Sequence, residues 1–405
     1  MENVNYKKLN RSINIYPIFY GLTADLIFWI AIDTLFLTTV KNLSASQINS
    51  IDAISTIVGI IFQIILVKIV RKIGNLNSVK LGVTLLFVSV LLNTISTNYI
   101  GFLIAELCYV IGFVFKHMDN VILIKNLKYL NRSEEYINYQ TKGITIYSLI
   151  TLFISIISGF MFNINPYIPM IICLLVCFIN IILTNFIYEV PISFDESEVI
   201  ESNYTKNNFS KKIILMIILY GLFYAMIGCG QKNSKLFIQF DLQNLLKIDK
   251  VAIYMSAFIF ISRISRLLSN LLFLKIYNRY KEKMLYIFEF GLVLAFISLL
   301  IGHFIGSIYG VYIMALGFFM FLFIRDPFDN FMRKTLFENS SEKVHDKIVN
   351  YINLTRKIFT LIYSTIVASM LIKLNYVYVM SLLLILSISF IVIIYKVYRL
   401  VREKK

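Results

Sequence analysis

Residues 324–334 read IRDPFDNFMRK and close an almost wholly apolar run that begins at Gly302. In the first half of the chain, residues 115–125, FKHMDNVILIK, close another such run in the same way. Both place an acid–amide pair, Asp119-Asn120 and Asp329-Asn330, where greasy sequence meets basic residues. The correspondence continues on either side. Ser133-Glu134 answers Ser341-Glu342, Thr141-Lys142 answers Thr355-Arg356, and LSASQINSI (43–51) answers LKIDKVAIY (246–254). The order is kept along the whole chain, so the reading is one fold unit used twice.

The composition says where such a unit lives. Of 405 residues, 58% are hydrophobic and 15% charged, against about a quarter charged in soluble proteins. With a mean hydropathy of +0.76, the chain has more apolar surface than one core can hide. Runs of about 20 apolar residues, enough to cross a bilayer, recur from end to end. Twelve are expected: 13–40, 50–72, 78–97, 100–126, 138–162, 166–188, 213–240, 250–275, 284–304, 307–332, 354–374 and 376–399. The first follows Lys7, Lys8 and Arg11, as a signal peptide would, but it is too long and no small-residue cleavage site follows. An all-α membrane protein with twelve transmembrane helices in two pseudo-symmetric six-helix bundles is therefore expected. The bundles are 1–188 and 213–405. The linker 189–212 between them opens EVPISFDESEVIES and ends KNNFSKK.

A net charge of +16 raises the question of nucleic acid. Placement answers it. Lys68, Arg71, Lys72, Lys80, Lys275, Arg279, Lys281, Lys283, Arg333, Lys334, Arg356 and Lys357 all fall on the face that holds the termini. The opposite face has only Lys41, Lys247, Lys250 and Lys373. That bias predicts cytoplasmic termini, attraction to anionic membrane lipid, and no nucleic-acid partner. Cys108, Cys173, Cys177 and Cys229 all lie within spans and read as small core residues. There is no phosphate-binding Gly-x-x-x-x-Gly-Lys-Ser/Thr loop, no HExxH, no nucleophile–base set and no metal cluster at catalytic spacing. Neither an enzyme nor a cofactor is implied.

Charges within the spans are costly, about 2.5–3.5 kcal/mol each on insertion scales, and here they cluster. Asp25, Trp29 and Asp33 are spaced by four and form one stripe if span one is a continuous helix. An acid withdrawn from water there can hold a proton. Asp25 reads equally as a proton carrier or as the partner of a structural cation, with Asp33 second. Span seven carries Gln231, Lys232 and Lys235. Lys232 is expected to meet Asp33, and Lys235 to reach back to the interface. Lys116, Asp119 and Asn120 in span four face two readings. Lys116 pairs with Asp326 or Asp329 across the halves, or with Asp119 in its own helix. Likewise Arg325 pairs with Asp119, or locally with Asp329. These residues, with Asp326, Asp329 and Asn330, are the candidate inner gate, and Pro327 is expected to kink span ten. Arg263, sharing a face with Arg266, binds an anionic substrate group or neutralises Asp25 or Glu289. His117 stands beside Lys116, while His303 and His345 read as loop residues.

This layout resembles the major facilitator superfamily, and span four, AELCYVIGFVFKHMDNVILIKNL, is similar to that span in its bacterial efflux members. The family loop after span two reads Gly-x-x-x-Asp-Arg-x-Gly-Arg-Arg. Here RKIGNLNSVK keeps Gly74 and Lys72 but has Arg71 at the acid position. Its echo after span eight, NRYKEK, keeps Arg279 and Lys283, with Asn278 replacing the acid and Lys281 the glycine. The proline-containing antiporter motif is absent from TLFISIISGFMF in span five. The resemblance implies spans one, four, seven and ten around a central cavity, where Trp29, Gln231 and Lys232, joined by Arg263 at mid-depth in span eight, would meet a small-molecule substrate. It also implies secondary transport by alternating access in the cell membrane, driven by protons through Asp25 and Asp33, with efflux by an antiporter the first direction considered. The alternatives are an uptake carrier for an anionic metabolite and a receptor or scaffold that does not transport.

Overall fold

The computed structural model describes residues 5–190, 210–340 and 345–402. Most of the linker, and the Ser341-Glu342 half of one repeat match, lie outside the described residues. The helices are α1 Tyr6–Thr23, α2 Trp29–Leu35, α3 Ala45–Ile73, α4 Asn75–Ile95, α5 Tyr99–Lys116, α6 Met118–Tyr129, α7 Tyr136–Ile164 and α8 Ile168–Leu183. They continue with α9 Lys211–Leu245, α10 Ile248–Tyr280, α11 Met284–Ile305, α12 Ile308–Glu338, α13 His345–Lys373 and α14 Tyr376–Arg402. No strand occurs among the described residues. Among the described residues, eleven helical segments are long and apolar enough to cross a membrane, α5 and α6 together making one of them. The remaining crossing is the first, made of α1 and the shorter apolar stretch Trp29–Val40.

Contacts divide the chain into two compact units. One holds the described residues of 1–43 and 54–196; the other holds 44–53 and the described residues of 197–405. The first two turns of α3 therefore group with the second unit, while the rest of the helix belongs to the first.

Each unit uses the same pairings. In the first, α4 packs along α5, α1 along α7, and α4 against α8. In the second, α11 packs along α12, α9 along α13, and α11 against α14. Glycine makes the closest of these pairs possible. A Cβ on Gly82 of α4 would strike the backbone of Lys116 in α5, and Gly112 returns the contact. Gly302 of α11 and Gly310 of α12 stand in the same relation, each lying against the other's carbonyl. Backbones this close gain dispersion contacts that lipid cannot replace. Large apolar residues such as Phe153, Phe160, Leu175, Leu271, Phe290 and Ile385 remain exposed, as a lipid-facing surface requires.

Replacing Gly310 with Leu is expected to lower stability by about 1–3 kcal/mol, since neither backbone can move away. Gly228, with open space at its Cβ, is the control: Gly228→Ala should be neutral or stabilising by up to about 1 kcal/mol. Thermal midpoints of the purified variants in one detergent check both.

Candidate polar sites within each unit

The first crossing is not a single helix. α1 ends at Thr23, and α2 starts at Trp29. The expected stripe of Asp25, Trp29 and Asp33 is therefore interrupted, with Asp25 in the break and the other two on α2. Inside a membrane, a break must satisfy its freed backbone groups within the protein. It does so here: Asn180 donates to the Leu22 carbonyl at 3.1 Å, and the Leu26 N–H donates to Asp25 Oδ1 at 2.8 Å. Tyr109 of α5 donates its hydroxyl to the same Asp25 oxygen at 2.9 Å. Asp33 accepts from the Thr34 N–H at 2.7 Å, and the Trp29 ring meets Phe36 edge-on.

Where α5 passes into α6, Lys116 and Asp119 form an ion pair of 3.0 Å, each side chain only 1% exposed. Of the pairings considered for Lys116, this is the local one. The Lys116 ammonium also lies 4.5 Å above the Tyr20 ring. Tyr16 donates its hydroxyl to Asn120 at 2.7 Å. The second unit repeats the device. Tyr220 donates to Asp329 at 2.5 Å, its ring stacks on Tyr224, and Arg333 closes on Asp329 at 2.7 Å. So Asp329 takes Arg333, one turn further on, rather than Arg325. The acid–amide pairs that recur in the sequence are thus the docking points of a tyrosine from the first helix of each unit. The partner had its own repeat, YPIFY at 16–20 and YGLFY at 220–224. Aromatic pairs inside apolar spans read as core, which hid it.

Arg325 instead donates to Gln231 at 3.2 Å and lies 3.6 Å from Asp326. Asp326 is held by Arg266 at 2.6 Å and Asn270 at 3.2 Å. Gln231, Arg325, Asp326 and Arg266 therefore make one polar chain across α9, α12 and α10. Arg263, one turn before Arg266 on α10, does not hold Glu289: among the described residues neither oxygen of that buried acid has a hydrogen-bond partner. α12 runs unbroken through Pro327, and Asn330 is exposed.

Lys232 also departs from expectation. It pairs with Asp52 of α3, not with Asp33. Asn49, one turn before Asp52, bonds Asn233 at 3.1 Å, and Ser46 donates to the Ala368 carbonyl at 2.7 Å. Ser46, Asn49 and Asp52 are spaced by three along one face of α3. They are the polar stripe that holds residues 44–53 in the second unit. Lys235 is 8% exposed and buried, so it does not snorkel. His303 is no loop residue: it lies in α11 and bonds Asp241 of α9 at 2.8 Å. His345 begins α13.

The acid missing from the loop after span two is supplied from elsewhere. Gly74, at φ +82°, turns the chain into α4, whose free N–H groups attract negative charge. Glu189, 114 residues from Asn75, accepts from its side chain at 2.6 Å and from the Leu76 N–H at 3.2 Å. It also takes Lys125 of α6 at 3.3 Å. Its place at the head of an acidic stretch made it look like linker.

No protein-family model matches the chain, and no curated protein matches it. Solved structures do. Similarity to the nucleoside transporter NupG has a TM-score of 0.71 at 12% identity, over 98% of this chain and 100% of that one. A bacterial homologue of the iron transporter ferroportin, inward-facing, gives 0.68 at 13%, over 98% and 100%. A bacterial homologue of the human lysosomal transporter Spinster, inward-facing and unoccupied, gives 0.62 at 11%, over 98% of each. At such identities the likeness establishes the fold, which is the two-unit, twelve-helix fold of major-facilitator type.

Removing one member of the buried Lys116–Asp119 pair leaves a charge with no partner. Lys116→Met is expected to cost about 3–5 kcal/mol. The double variant Lys116→Met/Asp119→Asn should recover most of it, as comparison of their thermal midpoints will show.

Proposed function

We propose that the chain is a secondary active transporter that moves a small molecule across the cell membrane by alternating access of its two units. The observation that carries this reading is the placement of polar chemistry. Both units put a tyrosine and an acid–amide pair at repeat-related positions on their first and fourth spans, and each acid there holds a cation of its own helical segment. Lipid penalises such groups, so they persist where they serve the movement of a polar solute. The fold likeness to transporters of nucleosides and iron supports the class.

In this reading the drive is protons, taken up by Asp25 with Asp33 as a second acceptor. Asp25 joins the backbone at the break to Tyr109 of span four through one oxygen. Those bonds are strongest to the carboxylate. Protonation weakens both and so links proton uptake to the shape of the first crossing. Trp29, Gln231, Lys232 and Arg263 are the proposed substrate contacts. Lys116, Asp119, Asn120, Arg325, Asp326, Asp329 and Asn330 are the proposed gating groups, bonded locally in the state described where a bond is seen. The basic face that holds the termini is taken as cytoplasmic, and efflux as the direction.

Reconstitution with an internal pH dye tests the proposal. Wild-type protein should move protons when its substrate is added from a panel of nucleosides, metal ions, cationic drugs and anionic metabolites. Asp25→Asn should keep substrate binding and lose the pH-driven component. Transport by Asp25→Asn with unchanged proton movement overturns the role of Asp25. No flux across the whole panel favours a scaffold.

A further inference from the structure

The mechanism just proposed leaves one buried acid unused. Glu289 sits in the second turn of α11, is 4% exposed, and has no hydrogen-bond partner at either oxygen among the described residues. Leu285, Glu289, Leu292 and Phe296 fall on one stripe of α11. That stripe faces inward, since Phe296 packs on Phe321 of α12 and its ring lies 3.1 Å from where a Cβ on Gly230 of α9 would be. The elements packed against α11 are α9, α12, α14 and the turn Lys281–Lys283.

Their titratable groups are engaged with other residues or make no hydrogen bond to this acid. On α12, Arg325 and Asp326 belong to the chain with Gln231 and Arg266, and Asp329 holds Arg333 and Tyr220. On α9, Lys232 holds Asp52, and Asp241 holds His303. Lys235 of α9, Lys396 and Arg399 of α14, and Lys281, Glu282 and Lys283 of the turn make no hydrogen bond to Glu289. An ionised carboxylate left dry and without a counter-charge costs several kcal/mol, whereas the neutral acid costs far less.

We propose that Glu289 is a proton-binding site of the second unit, occupied in the state described here and emptied when the unit rearranges to bring water or a cation to it. The O–H bond breaks, the proton passes to water, and the carboxylate remains to be solvated or paired. The basic turn at Lys283 is six residues away, about 9 Å along the helix. Occupancy of the site is independent of the transport reading; its use in coupling rests on that reading.

The test uses the purified full chain in nanodiscs with dicyclohexylcarbodiimide, an apolar reagent. The carboxyl proton passes to a carbodiimide nitrogen as the carboxylate oxygen bonds its central carbon, so only a protonated acid in a dry place reacts well. Peptide mass spectrometry should find Glu289 modified at neutral pH, less so as pH rises, and unmodified by a water-soluble carbodiimide. Infrared spectra should show a carboxylic C=O band that is missing from Glu289→Gln, a variant expected to fold normally because its amide is neutral like the protonated acid. Absence of labelling at every pH, labelling by the water-soluble reagent alone, or an unchanged band in Glu289→Gln overturns the proposal. The two readings fail separately. Labelled Glu289 with no proton flux in liposomes removes the coupling role and leaves the site. Proton flux without labelling removes the site and leaves the transporter.

Discussion

Within a bilayer, every polar group must find its partner inside the protein, because the hydrocarbon offers none. Most of the architecture follows from that constraint. The break in the first crossing survives because Asn180 and Asp25 take up the bonds that the helix gives up. The Lys116–Asp119 pair survives at almost complete burial because the Tyr20 ring covers the ammonium and Asp119 neutralises it. Glu289 is the exception that tests the rule, and a bound proton is the simplest way for it to obey.

The two units meet this constraint with one plan. Glycine pairs bring the third and fourth spans of each unit into backbone contact. A tyrosine from the first span then docks on the acid–amide pair of the fourth. The chemistry has diverged between them. The first unit uses the amide and keeps its acid for Lys116; the second uses the acid itself and adds Arg333.

α3 joins the story in a way that a division into halves would miss. Its first turns carry Ser46, Asn49 and Asp52 and group with the second unit, while the remainder belongs to the first.

Segment number, their apolar character, the repeat and the Asp-Asn pairs were all legible in the residues, because run length and periodicity are local properties that add along the chain. The same holds for the local pair Lys116–Asp119, which needs only helical spacing. Partners from distant segments were not legible. Lys232 met Asp52 and not Asp33, and Arg325 met Gln231 and not Asp329. Glu189 closed a loop that seemed to lack its acid, and Glu289 found no hydrogen-bond partner among the described residues. Each outcome depends on how a helix is rotated and where it breaks, and a hydrogen bond changes hands over an ångström or two. Only the packed structure determines positions that finely.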